Sequence, residues 1–251
     1  MTRTASRLIR SLLAISATLV LVWTWGCKKA EAPATDTAAT SVTETTAQPA
    51  MAETAQYSVT FTRLWTDQTF PFEYPEAGVL TGPHFSGLIG ATHGDGYAIF
   101  KEGTLPTPGL EKLSEEGKHS PLDQEIKDAI AAGKAGALFE TGPIRDAAKT
   151  ETVTFMVSSK FPMVSAVAMI APSPDWFAGV ADVNLMEGGQ WVSSKSVDLA
   201  AYDSGGDDGT TYKADDMDNN PKKPTTTASA AHFVVNGNRP PVGRLVFTKM
   251  Q

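Results

Sequence analysis

Apolar and polar residues alternate at the start of the folding part of the chain: Tyr57, Val59 and Phe61 against Ser58, Thr60 and Thr62. A period of two predicts a strand with one face on a core. Val153, Phe155 and Val157 repeat it, and Val164 to Ile170 is apolar on both faces, the pattern of a central strand. Trp191 to Leu199, Phe233 to Val235 and Leu245 to Phe247 are further strand candidates. Thr81-Gly82-Pro83, Asn236-Gly237-Asn238 and Pro240-Pro241 punctuate the sequence as turns. Helical spacing is clear in one stretch, where Leu122, Ile126, Ala129 and Ile130 fall on one face. Ser120 is placed to cap it, Pro121 fits the first helical position, Asp123 supplies the acidic partner of a capping box and Gly133 ends it. A weaker helical turn lies at Leu110 to Glu116. Many strands with one or two short helices in a crossover insertion predict an all-β fold, an antiparallel β-sandwich.

Before Tyr57 the pattern is of another kind. Arg3, Arg7 and Arg10 precede a mostly apolar run from Leu12 to Trp25. That run is shorter than the roughly 20 residues a spanning helix needs, and its layout is that of a secretory signal over residues 1–26. Thr24-Trp25-Gly26-Cys27 resembles a bacterial lipoprotein box, although Thr24 stands where Leu is common and Trp25 is bulky for its place. On that reading Cys27 is lipidated and anchors the chain to a membrane. Lys28 after the cysteine favours the outer membrane, with the chain in the periplasm or surface-exposed. An ordinary signal peptide with a chance cysteine is the alternative. Lys28 to Gln56 is dominated by Ala, Thr, Glu and Pro without an aromatic residue, which predicts a disordered tether over 27–56. Its end-to-end distance is on the order of 30 Å. Residues 57–251 then form one domain.

Composition adds exclusions. The 251 residues are 41% hydrophobic and carry a formal net charge of −7. The bulk is sufficient for a core. Three of the 21 basic residues lie before Cys27, so the processed chain holds 18 against 28 acidic residues, a net −10. That sign argues against nucleic acid as a partner. Cys27 is the only cysteine, which excludes an intrachain disulfide and cysteine-based structural zinc.

His84, His93, His119 and His232 are the only histidines; none pair at helical spacing, and surface or strand-end positions are expected for them. Neither a G-x-S-x-G elbow nor a phosphate-binding P-loop is present. The acidic loop is more informative. Asp203, Asp207, Asp208, Asp215, Asp216 and Asp218 fall within 16 residues, with Lys213 the only cation among them. Such runs are often solvated loops. Here Asp203 and Asp207 bracket Ser204-Gly205-Gly206, a sharp turn that can bring both carboxylates to one point and offer carbonyls. Calcium takes six to eight oxygens in flexible geometry, and this is its chemistry. An EF-hand is excluded, because a loop opening at Asp216 would place Pro221 and Thr227 where Gly and Glu are required. A second segment must therefore contribute. Ala171-Pro172-Ser173-Pro174-Asp175-Trp176-Phe177 follows the most apolar strand, with Asp175 at its turn and the two aromatic residues expected to anchor the loop.

Pro172-Ser173-Pro174-Asp175-Trp176, Gly179 and Leu185, then Tyr202-Asp203-Ser204-Gly205-Gly206-Asp207 with Gly209 and Tyr212, together resemble the spondin N-terminal domain family. Tyr57-Ser58-Val59-Thr60-Phe61, Trp65, His84-Phe85-Ser86 and Gly109-Leu110-Glu111 extend the resemblance over most of the domain. The resemblance implies a C2-like β-sandwich and one Ca²⁺ held by Asp175, Asp203 and Asp207. Animal members carry cysteines after the residue matching Leu185, whereas Met186-Glu187-Gly188-Gly189-Gln190 has none. The expected function is a non-enzymatic, calcium-binding module on a bacterial envelope, for adhesion or for binding a protein or glycan that the sequence does not name. A metal-dependent envelope hydrolase using the acidic loop and a purely structural lipoprotein are the alternatives.

Overall fold

In the computed structural model the described residues are 53–77 and 82–251. The signal segment, Cys27 and the tether up to residue 52 lie outside them.

Among the described residues, eleven strands and two α-helices follow in the order β1 (Thr54–Arg63), β2 (His84–His93), α1 (Pro108–Glu116), α2 (Leu122–Ala131), β3 (Ala135–Ile144), β4 (Thr150–Ser158), β5 (Met163–Ala171), β6 (Trp176–Asn184), β7 (Met186–Glu187), β8 (Gln190–Trp191), β9 (Ser194–Asp203), β10 (Thr226–Thr227) and β11 (Gly243–Lys249). The pairing is antiparallel throughout, and the main sheet runs β3-β2-β5-β6-β9-β11-β1-β4 with β10 added to β9. Strand β9 joins the two layers. Its first part, Ser194 to Leu199, pairs with β11, and its last part, Ala200 to Asp203, pairs with β6. The expected all-β sandwich with one or two short helices in an insertion is the fold observed, with two helices lying between β2 and β3.

Between the layers lies the main core, drawn from alternate residues: Tyr57, Val59 and Phe61 of β1, Val164, Ala166, Ala168 and Ile170 of β5, and Leu245 and Phe247 of β11. Phe139 of β3 stacks on Phe155 of β4 at 4.5 Å between centroids, joining the two ends of the strand order. A second core lies on the outer face of β2, β5 and β6. Ile89, Val167 and Phe177 meet Leu110 and Leu113 of α1, Leu122 and Ile126 of α2, and Phe100. That second cover explains why β5 is apolar on both faces.

Several expectations change. Strand β1 begins at Thr54, before the first aromatic residue of the alternation. Phe233 belongs to a short 3-10 turn, Ala231–Phe233, not to a strand. Trp176 and Phe177 open β6 instead of lying in a loop. The strand expected from Trp191 is split, with Trp191 in the short hairpin β7-β8 and the long strand starting at Ser194. Ser120 does not cap α2: the amide of Asp123, which a capping side chain would accept, already donates to the His119 carbonyl at 2.9 Å. Gly133 does end that helix in the left-handed region, at φ 68°. Helix α1 is fully formed, with Thr107 Oγ1 accepting from the Leu110 amide at 3.1 Å. Among the described residues, no helix is long and apolar enough to cross a membrane.

A candidate metal centre at the acidic loop

The site is placed by strand register. Trp176, first residue of β6, pairs with Asp203, last residue of β9, so Asp175 lies beside the point where the acidic loop leaves the sheet. Trp176 holds this corner by burial. Its ring meets Phe233 at 5.1 Å and Tyr212 at 5.4 Å, and Trp65 Nε1 donates to Tyr212 Oη at 3.1 Å.

Asp175 is 0% exposed. Its Oδ2 accepts from Ser204 Oγ at 2.9 Å, the Gly206 amide at 2.8 Å and the Asp207 amide at 3.2 Å. The loop is thus wound around one carboxylate oxygen. Gly205 stands at φ 84°, and a Cβ there would lie 2.2 Å from the Lys223 carbonyl oxygen. Only glycine permits that approach. The other Asp175 oxygen, Oδ1, is buried without a hydrogen-bond partner. An ionised oxygen in that position carries a desolvation cost that no donor offsets.

Asp203 Oδ1 accepts from the Gly205 amide at 3.0 Å. Burial, with the nearby Asp175 charge, pushes its carboxyl up to about 6. Burial also raises Asp175, against the lowering effect of its hydrogen bonds. Asp207 differs: its Oδ1 accepts from the Gly209 amide at 2.5 Å and its Oδ2 from the Met217 amide at 2.6 Å. Asp203 and Asp207 line a common cavity of about 420 Å³ that Asn219 and Lys223 help to enclose. Of the three aspartates expected from the sequence, Asp203 and Asp207 share this cavity, and Asp175, on the β5–β6 connection, accepts from the loop that carries them. Among the described residues the acids whose carboxylate oxygens converge within 4.8 Å are instead Glu111, Glu115 and Asp218. Asp175 and Asp203 have the electrostatics of a site short of positive charge. The buried, unpartnered Oδ1 fits a hard cation with oxygen ligands, because such an ion supplies the missing countercharge.

A second group of acids adjoins the loop. One carboxylate oxygen each from Glu111, Glu115 and Asp218 lie within 4.8 Å of one another. Lys222 Nζ binds Glu111 Oε1 at 2.9 Å, Asp218 Oδ1 at 2.7 Å and the Gly206 carbonyl at 3.2 Å. Burial first, then the Glu111 charge, pushes Glu115 up to about 7. The sequence reading counts Asp218 in the acidic run without a role of its own, takes Glu111 only as part of Gly109-Leu110-Glu111, and gives Glu115 and Lys222 no role. The i, i+4 spacing of Glu111 and Glu115 on a helical stretch was visible, but not the placement of α1 against the loop.

The histidines lie elsewhere. His84 and His93 are the two ends of β2, and His93 and His232 are buried, not on the surface. His93 Nε2 meets Ser165 Oγ at 2.7 Å, and Asp182 Oδ1 stands 3.9 Å from the same nitrogen. A nucleophilic triad needs its acid on the opposite ring nitrogen, and Nδ1 here faces the Gly94 carbonyl at 3.0 Å. Ser165 is moreover 0% exposed.

An antiparallel two-layer β-fold with two helices on one outer face, and an Asp-lined loop where β6 meets β9, define the class of protein. The chain belongs to the spondin N-terminal domain family, whose model, Spondin_N, matches residues 55–235. It is similar to Spondin-2 of Rattus norvegicus and of Homo sapiens, 30% identical over 211 residues in each, covering 78% of this chain and 62% of the relative. It is also similar to Spondin-1 of Rattus norvegicus, 29% identical over 178 residues, covering 68% of this chain and 21% of the relative. The chain thus spans under two thirds of these relatives' length.

Proposed function

We propose that residues 57–251 form a non-enzymatic, calcium-binding module, and that Asp175, Asp203 and Asp207 hold one Ca²⁺. The observation that carries this reading is the unpartnered, fully buried Oδ1 of Asp175, next to an Asp203 carboxyl pushed up to about 6. Asp207 contributes through its place in the shared cavity. Calcium would stabilise the fold without taking part in a reaction. We place the module on a bacterial envelope, anchored through lipid on Cys27 and held off the outer membrane by the tether expected from residue 27, which gives way to β1 at Thr54 and not after Gln56. Its task there is adhesion or the binding of a protein or glycan ligand. The hydrolase alternative has less support, since the acidic residues at the loop have no histidine among them and the Ser165–His93 pair is sealed in the core.

Calorimetric titration of Ca²⁺ into chelator-treated protein tests the metal. One site is expected in the wild type and none in Asp203→Asn; equal binding by both would remove the site. Cys27→Ala tests the anchor. Release from the membrane fraction is expected, and retention after normal signal cleavage would refute lipidation.

A further inference from the structure

We propose that Lys222 is a positioning residue for the calcium loop, a tethered cation that fixes Gly206 and through it the donors around Asp175. The inference rests on the calcium reading. Its own basis is geometric. The Lys222 ammonium is shared by α1, through Glu111 at 2.9 Å, by Asp218 at 2.7 Å and by the Gly206 carbonyl at 3.2 Å. The amide of that same Gly206 donates to Asp175 Oδ2 at 2.8 Å. The Asn219 amide holds the Gly206 carbonyl from a second direction at 2.8 Å. Lys222 therefore acts on the Gly206–Asp207 peptide group, whose Asp207 N–H donates to Asp175 Oδ2 at 3.2 Å, and not directly on Asp175, Asp203 or Asp207.

The acids around it make the charge necessary. Glu111, Glu115 and Asp218 converge on one point, and Glu115 Oε1 is buried without a hydrogen-bond partner. A Cβ on Gly206 would lie 2.6 Å from that Oε1 and 3.2 Å from Glu111 Cγ, so α1 rests directly on the glycine. Without the ammonium, the carboxylates of α1 and Asp218 repel each other across the Gly206 carbonyl, and the loop is driven off the helix. Lys222 is only 27% exposed in its side chain, so water screens these charges less than at an open surface.

Two effects of opposite sign separate this role from a plain surface charge. Simple electrostatics says that removing a positive charge near a Ca²⁺ site tightens calcium binding. Positioning says that removing it loosens binding, because Gly206 and the Asp175 donors are no longer held.

The test is calcium titration of the full domain for wild type, Lys222→Met, Lys222→Gln and Lys222→Arg, with the melting temperature of each in chelator. The proposal predicts calcium affinity lowered roughly tenfold in the Met and Gln variants, the scale of a lost hydrogen bond of about 1.4 kcal/mol. Arg should recover most of it, since it keeps the charge and the donors. Should Lys222→Met not fold, the Gln variant, which stays polar but is shorter than lysine and lacks its charge, carries the comparison. Affinity equal to or tighter than wild type in the neutral variants would overturn the proposal. So would a melting temperature lowered in chelator with calcium affinity unchanged, which would make Lys222 structural only. A wild type that binds no calcium would instead refute the calcium reading itself, and the positioning role with it.

Discussion

Asp175 and Trp176 are neighbours in the chain and equally buried, yet they sit in opposite physical worlds. Trp176 is enclosed by the rings of Tyr212, His232 and Phe233, within 5.4 Å between centroids. Its environment is complete as it stands: apolar surface is removed from water and nothing is left unpaired. Asp175 is held by a hydroxyl and two amides on one oxygen and by no donor on the other. Around it are Asp203 and Glu115, each pushed toward the neutral form by burial. The sandwich core needs no ligand to hold its shape. The loop is assembled by polar bonds whose charges do not balance, and it is there that the proposed cation would change stability.

The largest effect tests the apolar half of the comparison. Trp176→Ala should destabilise the domain by about 3–5 kcal/mol. The loss read by chemical denaturation in chelator should be of that size, because the ring is 1% exposed and supports both the sheet end and the loop. A loss under about 1 kcal/mol would mean that the aromatic corner is not the scaffold of the site.

The polar half answers to pH. Asp203 is raised from 3.8 to about 6 and Glu115 from 4.5 to about 7. Between each pair of values the metal-free fold holds a proton that the unfolded chain has released. Its stability should therefore fall as pH rises from about 4 to 7. Calcium should reverse the trend, since the ion binds the ionised carboxylates. Melting curves in chelator and in calcium, taken across that range, should converge at acid pH and separate near neutrality. Parallel curves would contradict the assigned electrostatics.

Smaller effects sharpen the boundary. Helix α1 belongs to both regions, with Leu110 and Leu113 in the outer core and Glu111 and Glu115 at the loop. Thr107→Ala removes its cap and should cost about 1 kcal/mol by denaturation. Asp208 is exposed and pairs with Lys223. Asp208→Asn should change stability by less than about 0.5 kcal/mol and leave calcium binding intact. A change in calcium affinity there would extend the site beyond the three aspartates.

How much of this was legible in the sequence depends on how each segment is buried. Strands β1, β4 and β11 alternate because one face meets the core, and they were readable. Strand β2 is buried on both faces and carries Gly87 and Gly90, so it shows no alternation and was read only as a motif. Strand β6 changes its inward parity at Asp182, which takes φ 56° where three residues of β6 span two of β5. The placement of Asp203 at a strand end was legible, since an alternating run leads into a Gly-rich acidic turn. The role of Ser204 as a donor to Asp175 was not, because it depends on the fold bringing residues 29 apart in sequence into contact. The same holds for Lys222, whose partners on α1 are far from it in the chain.

The central claim is that the acidic loop is completed by calcium. Thermal melting of wild type and Asp203→Asn, each in chelator and in saturating calcium, tests it most directly. At a hundredfold excess over Kd, calcium should stabilise the wild type by about 2.7 kcal/mol and raise its melting temperature by several degrees. The Asp203→Asn variant should melt at one temperature in both conditions. A wild type that melts alike with and without calcium would contradict the account and leave the cluster a charged, solvated loop.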